Sequence, residues 1–346
     1  MESFPKISWY QTPLDRTVLK NLTRKSDARA LVHLLAHMGF TAGTGILVYL
    51  AFRHLSWPFT VLALFLHGTF FNFLGMFTGV HELAHKTAFR SKGLNEFFYA
   101  ILGVLTWNNI HKFRASHQAH HRVTVHTGWD LEVVLPEKFR PVDWLFMFTV
   151  NPFSGAGGVP GIVSMVRETL RYAFDRFDGE WETRLFPEEG SRARRKIFDF
   201  ARITLLFHVV TAVLFIATGN WILVLVVNFG CFIAPWLATL CALPQHIGLC
   251  PNTADWRSAA RTMLLGPVLR FFYWNMNYHV EHHMYASVPF YNLPALHEAI
   301  KADCPEPHRG LLRTWKSLMP MIREQRRNPD ACISPELPED RESAAD

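Results

Sequence analysis

The stretch WPFTVLALFLHGTFFNFLGMFTGVHELAH, Trp57–His85, joins an apolar run directly to a pair of histidines. A helix that spans a bilayer needs about 20 mostly apolar residues, and Trp57–Val80 supplies that length. The first polar residues beyond it are His81-Glu82-Leu83-Ala84-His85. A spacing of four brings both imidazoles onto one helix face. Run and histidine pair share one junction, so whatever the pair binds lies at the membrane surface.

Three more runs surround this one. Leu31–Phe52 precedes it, interrupted only by His33 and His37, while Ile203–Thr218 and Trp221–Leu243 follow. A chain that is 49% hydrophobic and 14% aromatic, with its apolar residues in long runs, reads as a membrane protein. The first run begins too late and is too long for a secretory signal peptide. Lys6, Arg16, Lys20, Arg24, Lys25 and Arg29 precede it, whereas the tip Arg53–Ser56 holds one arginine and the tip Gly219–Asn220 none. By the positive-inside rule both termini and the central segment are cytosolic, in a bacterial inner membrane or the endoplasmic reticulum. The net charge of +6 then reports topology and anionic lipid, and nucleic acid is not an expected partner.

The predicted architecture is an all-α integral membrane protein, with four transmembrane helices in two hairpins and a cytosolic helical cap. Its expected parts are an N-terminal segment 1–30, a hairpin 31–80, a cap 81–198, a hairpin 199–243, a second cap segment 244–327 and a disordered tail 328–346. Leu94–Trp107 is short for a span and suits an interfacial helix. The Gly/Pro-rich stretch 151–161 reads as a loop, and Pro235 is expected to kink the last span. Ser191–Lys196, with four basic residues, is placed against lipid headgroups. Five cysteines without a C-x2-C pair are expected to be free thiols.

Two further clusters, His117-Gln-Ala-His120-His121 and His279-Val-Glu-His282-His283, bring the total to eight imidazoles on the cytosolic side. Neutral imidazole ligates iron, zinc, copper and nickel, and eight ligands suit two ions better than one. Two redox-active ions in an all-nitrogen site can activate dioxygen towards an unactivated C–H bond. Zinc has no redox chemistry.

The three boxes and four runs resemble the membrane fatty acid desaturase and hydroxylase superfamily over about residues 31–320. The most specific stretch, Trp274-Asn-Met-Asn-Tyr-His-Val-Glu-His-His-Met-Tyr-Ala-Ser-Val-Pro-Phe-Tyr-Asn-Leu-Pro-Ala-Leu-His297, is similar to the acyl, sphingolipid and dihydrorhizobitoxine desaturase branch. The resemblance implies a non-heme di-iron centre held by His81, His85, His117, His120, His121, His279, His282 and His283. His246, in Gln245-His246-Ile-Gly-Leu after the last run, takes the place of a further ligand. It implies O2 as co-substrate and a lipid acyl chain or related lipophile as substrate. Two departures matter: His279 stands where front-end desaturases carry Gln, and no His-Pro-Gly-Gly segment of a fused cytochrome b5 is present. Electrons are therefore expected from a separate ferredoxin or cytochrome b5.

Hydroxylation at the same centre is the nearest alternative, because no residue type separates hydroxyl rebound from loss of a second hydrogen. His81-Glu82-x-x-His85 also fits a membrane zinc protease with Glu82 as general base, but that reading leaves both H-x2-HH boxes unexplained. A metal transporter would hold its ligands inside the spans. Glu82, Asp130 and Asn275 are expected behind the ligands, Glu82 orienting an imidazole and Asn275 holding a metal-bound water. Glu132 reads equally as such an acceptor or as a solvated charge. His33, His37, His67 and His208 read as hydrogen-bonded histidines of the spans, with His67 and His208 also able to line a substrate channel. His111 and His126 flank the second box.

Overall fold

The computed structural model describes residues 4–136, 139–153, 160–177 and 179–338. A short helix α1 (Arg16–Leu22) leads into α2 (Asp27–His54), which the Ser26 hydroxyl caps by accepting from the Arg29 amide. After a two-residue turn, α3 (Trp57–Phe71) returns along α2 and continues as a 3-10 turn, Asn72–Leu74. Helix α4 (Gly79–Ala84) follows and carries the first box. Among the described residues three segments are long and apolar enough to cross a bilayer: Asp27–His54, Trp57–Ala84 and Arg192–Ala217, the last being α10. Val32, Ile46, Leu47, Val61, Leu62, Val213 and Ile216 stand exposed on these helices. Such a surface is tolerated in lipid and not in water.

The fourth run does not form one long helix. It makes a π-helix over Val224–Asn228, a 3-10 turn over Gly230–Phe232 and an extended break at Ile233, then resumes at Trp236–Ala242. Pro235 caps this last helix rather than kinking a continuous one. The backbone groups freed by the break are taken up by the chain beside it. Ala234 N–H donates to Thr149 O at 2.6 Å, and Asn151 N–H donates to Phe232 O at 2.9 Å. Asn72 Nδ2 donates to both Gly68 O and Ile233 O, stapling the end of α3 to the break. Backbone groups freed away from water are stable only where protein satisfies them in this way.

The rest forms the cap. Helices α5 (Lys92–Leu105) and α6 (Ile110–Val123) pack on α4, followed by α7 (Pro141–Phe148), α8 (Ile162–Ala173) and α9 (Glu180–Leu185) before α10. Helix α5 is the short apolar segment expected at the interface. After α10 come α11 (Trp236–Ala242), α12 (Trp256–Ala259), α13 (Pro267–Phe272), α14 (His279–Met284), α15 (Leu293–Ile300) and α16 (Leu311–Glu324). A two-residue parallel ladder pairs Met263–Leu264 with His308–Arg309, a small departure from an all-α chain. Residues 154–159 of the predicted loop lie outside the described residues, as do the last residues of the tail, 339–346. Within the first part of the expected tail, Ile333 N–H donates to Gly248 O. Cys250 and Cys332 form a disulfide, so only Cys231, Cys241 and Cys304 are the free thiols expected of all five.

Gly68 measures how closely α3 meets the break, since a Cβ there would lie 2.3 Å from Ile233 O. Gly68→Ala is expected to destabilise the protein by about 1–3 kcal/mol, the usual cost of overpacking. Gly39→Ala, on α2 with nothing within 4 Å, should be neutral or mildly stabilising. Thermal unfolding in detergent compares the two. Equal melting of both variants would show that α3 and the break are not in contact.

Candidate metal centre

Four pieces of chain converge above the membrane segments. Helix α4 and its C-cap present His81 and His85, and α6, begun by an Asn109 cap on the Lys112 amide, presents His117, His120 and His121. Helix α14 presents His279, His282 and His283. His246 arrives from the 3-10 turn Leu243–Gln245 that follows α11.

Their ring nitrogens fall into two groups. His81, His85, His117, His121 and His282 have ligand atoms within 4.8 Å of one another, and so do His120, His246 and His283. His279 joins the second set, with Nε2 2.9 Å from His246 Nε2 and 3.0 Å from His283 Nε2. In the first set His81 Nε2 lies 2.9 Å from His282 Nε2, and His117 Nε2 lies 2.9 Å from His85 Nε2 and 3.0 Å from His121 Nε2. All nine histidines named from the sequence meet here.

The opposite nitrogens decide what these facing atoms can do. His117 Nδ1 is 2.7 Å from Glu132 Oε1, His120 Nδ1 is 2.8 Å from Asp130 Oδ2, and His246 Nδ1 is 2.8 Å from Ala259 O. Each acceptor takes the Nδ1 proton, which leaves Nε2 as a bare lone pair. Nε2 lone pairs converging on neighbouring imidazole nitrogens at 2.9–3.0 Å make a donor set that fits a shared cation. Glu82 is fully buried with neither carboxylate oxygen hydrogen-bonded, and its Oε1 stands 3.5 Å from His282 Nδ1. It is placed to complete the same pattern behind His282.

Burial holds His117, His121, His282 and His283 well below the usual histidine range, with the neighbouring imidazoles adding to the effect. These rings are therefore neutral ligands at physiological pH. His120 differs: burial opposes its charged form, but the carboxylate of Asp130 outweighs burial and raises it. Burial lifts Glu132 to about 7, against the pull of His120.

A cavity of about 210 Å³ opens onto both histidine groups, reaching His81 and His117 of one and His120, His246 and His279 of the other. Its remaining wall is largely apolar, including Met76, Phe77, Phe113 and the strap Leu131–Leu135. Phe113 stacks on His117 at 5.5 Å, so the apolar wall continues up to the ligand rings.

Asn275 is not among these groups. It holds a left-handed backbone at φ +56°, and its Nδ2 donates to Phe290 O at 3.1 Å, tying the turn before α14 to the chain after it. His37 Nδ1 accepts from Trp274 Nε1, while His33 packs among Phe271, Trp274 and Phe290. His67 bonds Val226 O and lines a separate apolar cavity of about 500 Å³ between α2, α3 and the π-helix. His208 bonds Val104 O, His111 packs edge-on to Phe200, and His126 bonds Thr124 O. Sequence reasoning missed a second layer. Glu281, inside the third box, accepts from Thr262 Oγ1 at 2.5 Å and pairs with His297, while the Arg261 guanidinium binds Pro244 O and Ile247 O around His246. Glu281 alternates with the ligands along α14 and so faces away from them; that placement was the available signal.

Two buried all-histidine groups at the mouth of an apolar cavity, beside helices that can span a bilayer, define a membrane metalloenzyme of oxidoreductase type. The fatty acid desaturase family model matches residues 55–315, which include every one of the nine histidines. The chain belongs to that family. No curated protein matches it.

If Asp130 and Glu132 orient ligand rings, Asp130→Asn and Glu132→Gln should each lower metal affinity by roughly 10–100-fold. Iron retained against a chelator measures this. Unchanged retention in both variants would remove them from that role.

Proposed function

We propose that this chain is an O2-dependent membrane desaturase that introduces a double bond into a lipid acyl chain at a non-heme di-iron centre. One iron would be held by His81, His85, His117, His121 and His282, and the other by His120, His246, His279 and His283. The observation that carries this reading is the single apolar cavity touching both nitrogen groups at once. When bound, the two irons supply the oxygen activation that no side chain of this protein can provide.

The protein's own part is positioning and exclusion. Glu132, Asp130 and the Ala259 carbonyl hold their imidazoles in the tautomer that offers Nε2. Phe113 and the Leu131–Leu135 strap form an apolar wall where a methylene pair of an extended chain can lie against both groups. Apart from the histidines, Glu132 and Gln245 are the polar side chains of that lining and the rest is apolar, so away from the histidine groups it favours hydrocarbon over a hydrophilic substrate. The overall reaction takes two hydrogens from the substrate, and two electrons and two protons from outside, and reduces O2 to two waters.

The segment Trp221–Leu243 is proposed as a fourth, broken crossing that pairs with α10, which makes two hairpins. The distribution of lysine and arginine supports cytosolic termini and a cytosolic cap. Trp274–His297 supports the acyl, sphingolipid or dihydrorhizobitoxine desaturase branch. The electron donor is proposed to be a ferredoxin or cytochrome b5. Hydroxylation is the second reading, because the same cavity can hold a substrate for rebound.

Purified protein should contain about two irons per chain, and lipids from expressing cells should gain an unsaturated species. His282→Ala and His120→Ala should each lose iron and product together. An active, product-forming His282→Ala enzyme would falsify the di-iron assignment. One zinc per chain would favour the protease reading instead.

A further inference from the structure

The nine histidines are packed against few aromatic rings of other kinds. Among the described residues two such rings touch them: Phe113, on His81 and His117, and Trp256, on His121 and His283. Phe113 faces the substrate cavity. Trp256 leads the other way. Its ring is 4.9 Å from His283 and 6.4 Å from His121, so it meets one histidine of each group.

Trp256 is only 3% exposed, and its outer face is covered by Trp9. The two indoles are nearly parallel, 8° apart, with centroids at 3.6 Å. Trp9 is partly exposed, donates its Nε1–H to Arg122 O at 3.0 Å and meets His126 edge-on. The N-terminal segment is seated here by several contacts. Tyr10 N–H donates to Ala254 O, Tyr10 Oη donates to Asp303, and the Arg257 guanidinium covers the Tyr10 ring.

We propose that Trp9 and Trp256 are the route by which electrons from a one-electron carrier protein reach the histidine centre, with the carrier docking over Trp9. The inference rests on the di-iron reading above. Tunnelling decays steeply with distance and more slowly through packed π systems than across gaps, and this column is continuous from the surface to both groups. The face around Trp9 suits an acidic carrier. Lys6 and Arg122 are exposed, Arg122 being the residue whose carbonyl Trp9 bonds and whose guanidinium stacks on Phe4. The nearby carboxylates are already engaged, Asp255 by Arg257 and Glu180 by Arg184. Opposite charge on a carrier would orient its approach and make docking salt-dependent. Each double bond needs two electrons, so a one-electron carrier is oxidised and replaced twice per turnover while O2 is reduced to water.

The test uses the iron-loaded, full-length protein in nanodiscs under anaerobic stopped flow. Reduced ferredoxin or cytochrome b5, whichever passes electrons faster to the unaltered protein, is followed by its own absorbance. Trp256→Leu and Trp9→Ala should lose most of that rate, and Trp256→Phe and Trp9→Phe should recover a large part of it. Iron content, and reduction by dithionite with methyl viologen, should be the same in every variant. Arg122→Glu should weaken carrier binding in a direct affinity measurement and flatten its salt dependence. Full carrier-driven rates in both Trp256→Leu and Trp9→Ala would overturn the route. So would a wild-type protein that dithionite reduces but neither carrier does. Failure of dithionite itself on the wild-type protein would instead overturn the di-iron reading.

Discussion

The arrangement depends on holding nine largely buried imidazoles facing one another. Burying a polar ring without a partner costs free energy, and nine of them together would be strongly destabilising if each offered an uncompensated nitrogen. The cost is met from the outside of the cluster. Glu132, Asp130 and the Ala259 carbonyl each take an Nδ1 proton, and Arg261 fixes the Pro244 and Ile247 carbonyls that flank His246. With their Nδ1 protons committed outward, these Nε2 atoms present acceptor lone pairs that suit a cation. The shell of acceptors therefore selects for metal as firmly as the ligands do.

That shell explains why the cap is built as it is. Asp130 is held by Val125, Glu132 and Val133 backbone amides as well as by His120. One carboxylate thus ties the second box to the strap that walls the cavity, so ligand orientation and cavity shape are set together. Glu281 does the same on the opposite side, joining α14 through Thr262 to the chain after α12 and through His297 to α15.

Much of the site was legible in the sequence because the ligands sit at i, i+3 and i+4 on short helices, where spacing alone predicts a shared face. His246 was legible only through resemblance, since a single histidine has no spacing to read. Glu132 and Asp130 could be suspected from proximity to the second box. Thr262, Ala259 and Trp256 could not, because their contacts to Glu281, His246 and His283 join segments that only the folded cap brings together. The membrane segments show the same limit. Three apolar runs became long helices, but the fourth has equal hydropathy and is broken at Phe229–Pro235, upstream of where Pro235 alone suggested. What permits the break is tertiary: Asn72, Thr149 and Asn151 satisfy its backbone. The tie from Asn275 Nδ2 to Phe290 O is of the same kind, joining two segments that the sequence does not place together.

The two nitrogen groups are not independent sites. Helix α6 sends His117 and His121 to one group and His120 to the other, while α14 sends His282 to the first and His279 and His283 to the second. Residues four apart share a group on both helices, His117 with His121 and His279 with His283. His120 and His282, about 100° round the helix from the next residue, point to the other group. The offset between the groups is therefore set by the angular spacing of side chains on two rigid helices. A shift of either helix moves ligands of both groups at once. Only His81 and His85 from α4, and His246 from the turn after α11, serve a single group each. Adjustment of one metal position alone must therefore come from those two segments, and both are anchored to the membrane helices by α3 and by the break before α11. The offset between the two nitrogen groups is in this way fixed by helix geometry in the cap.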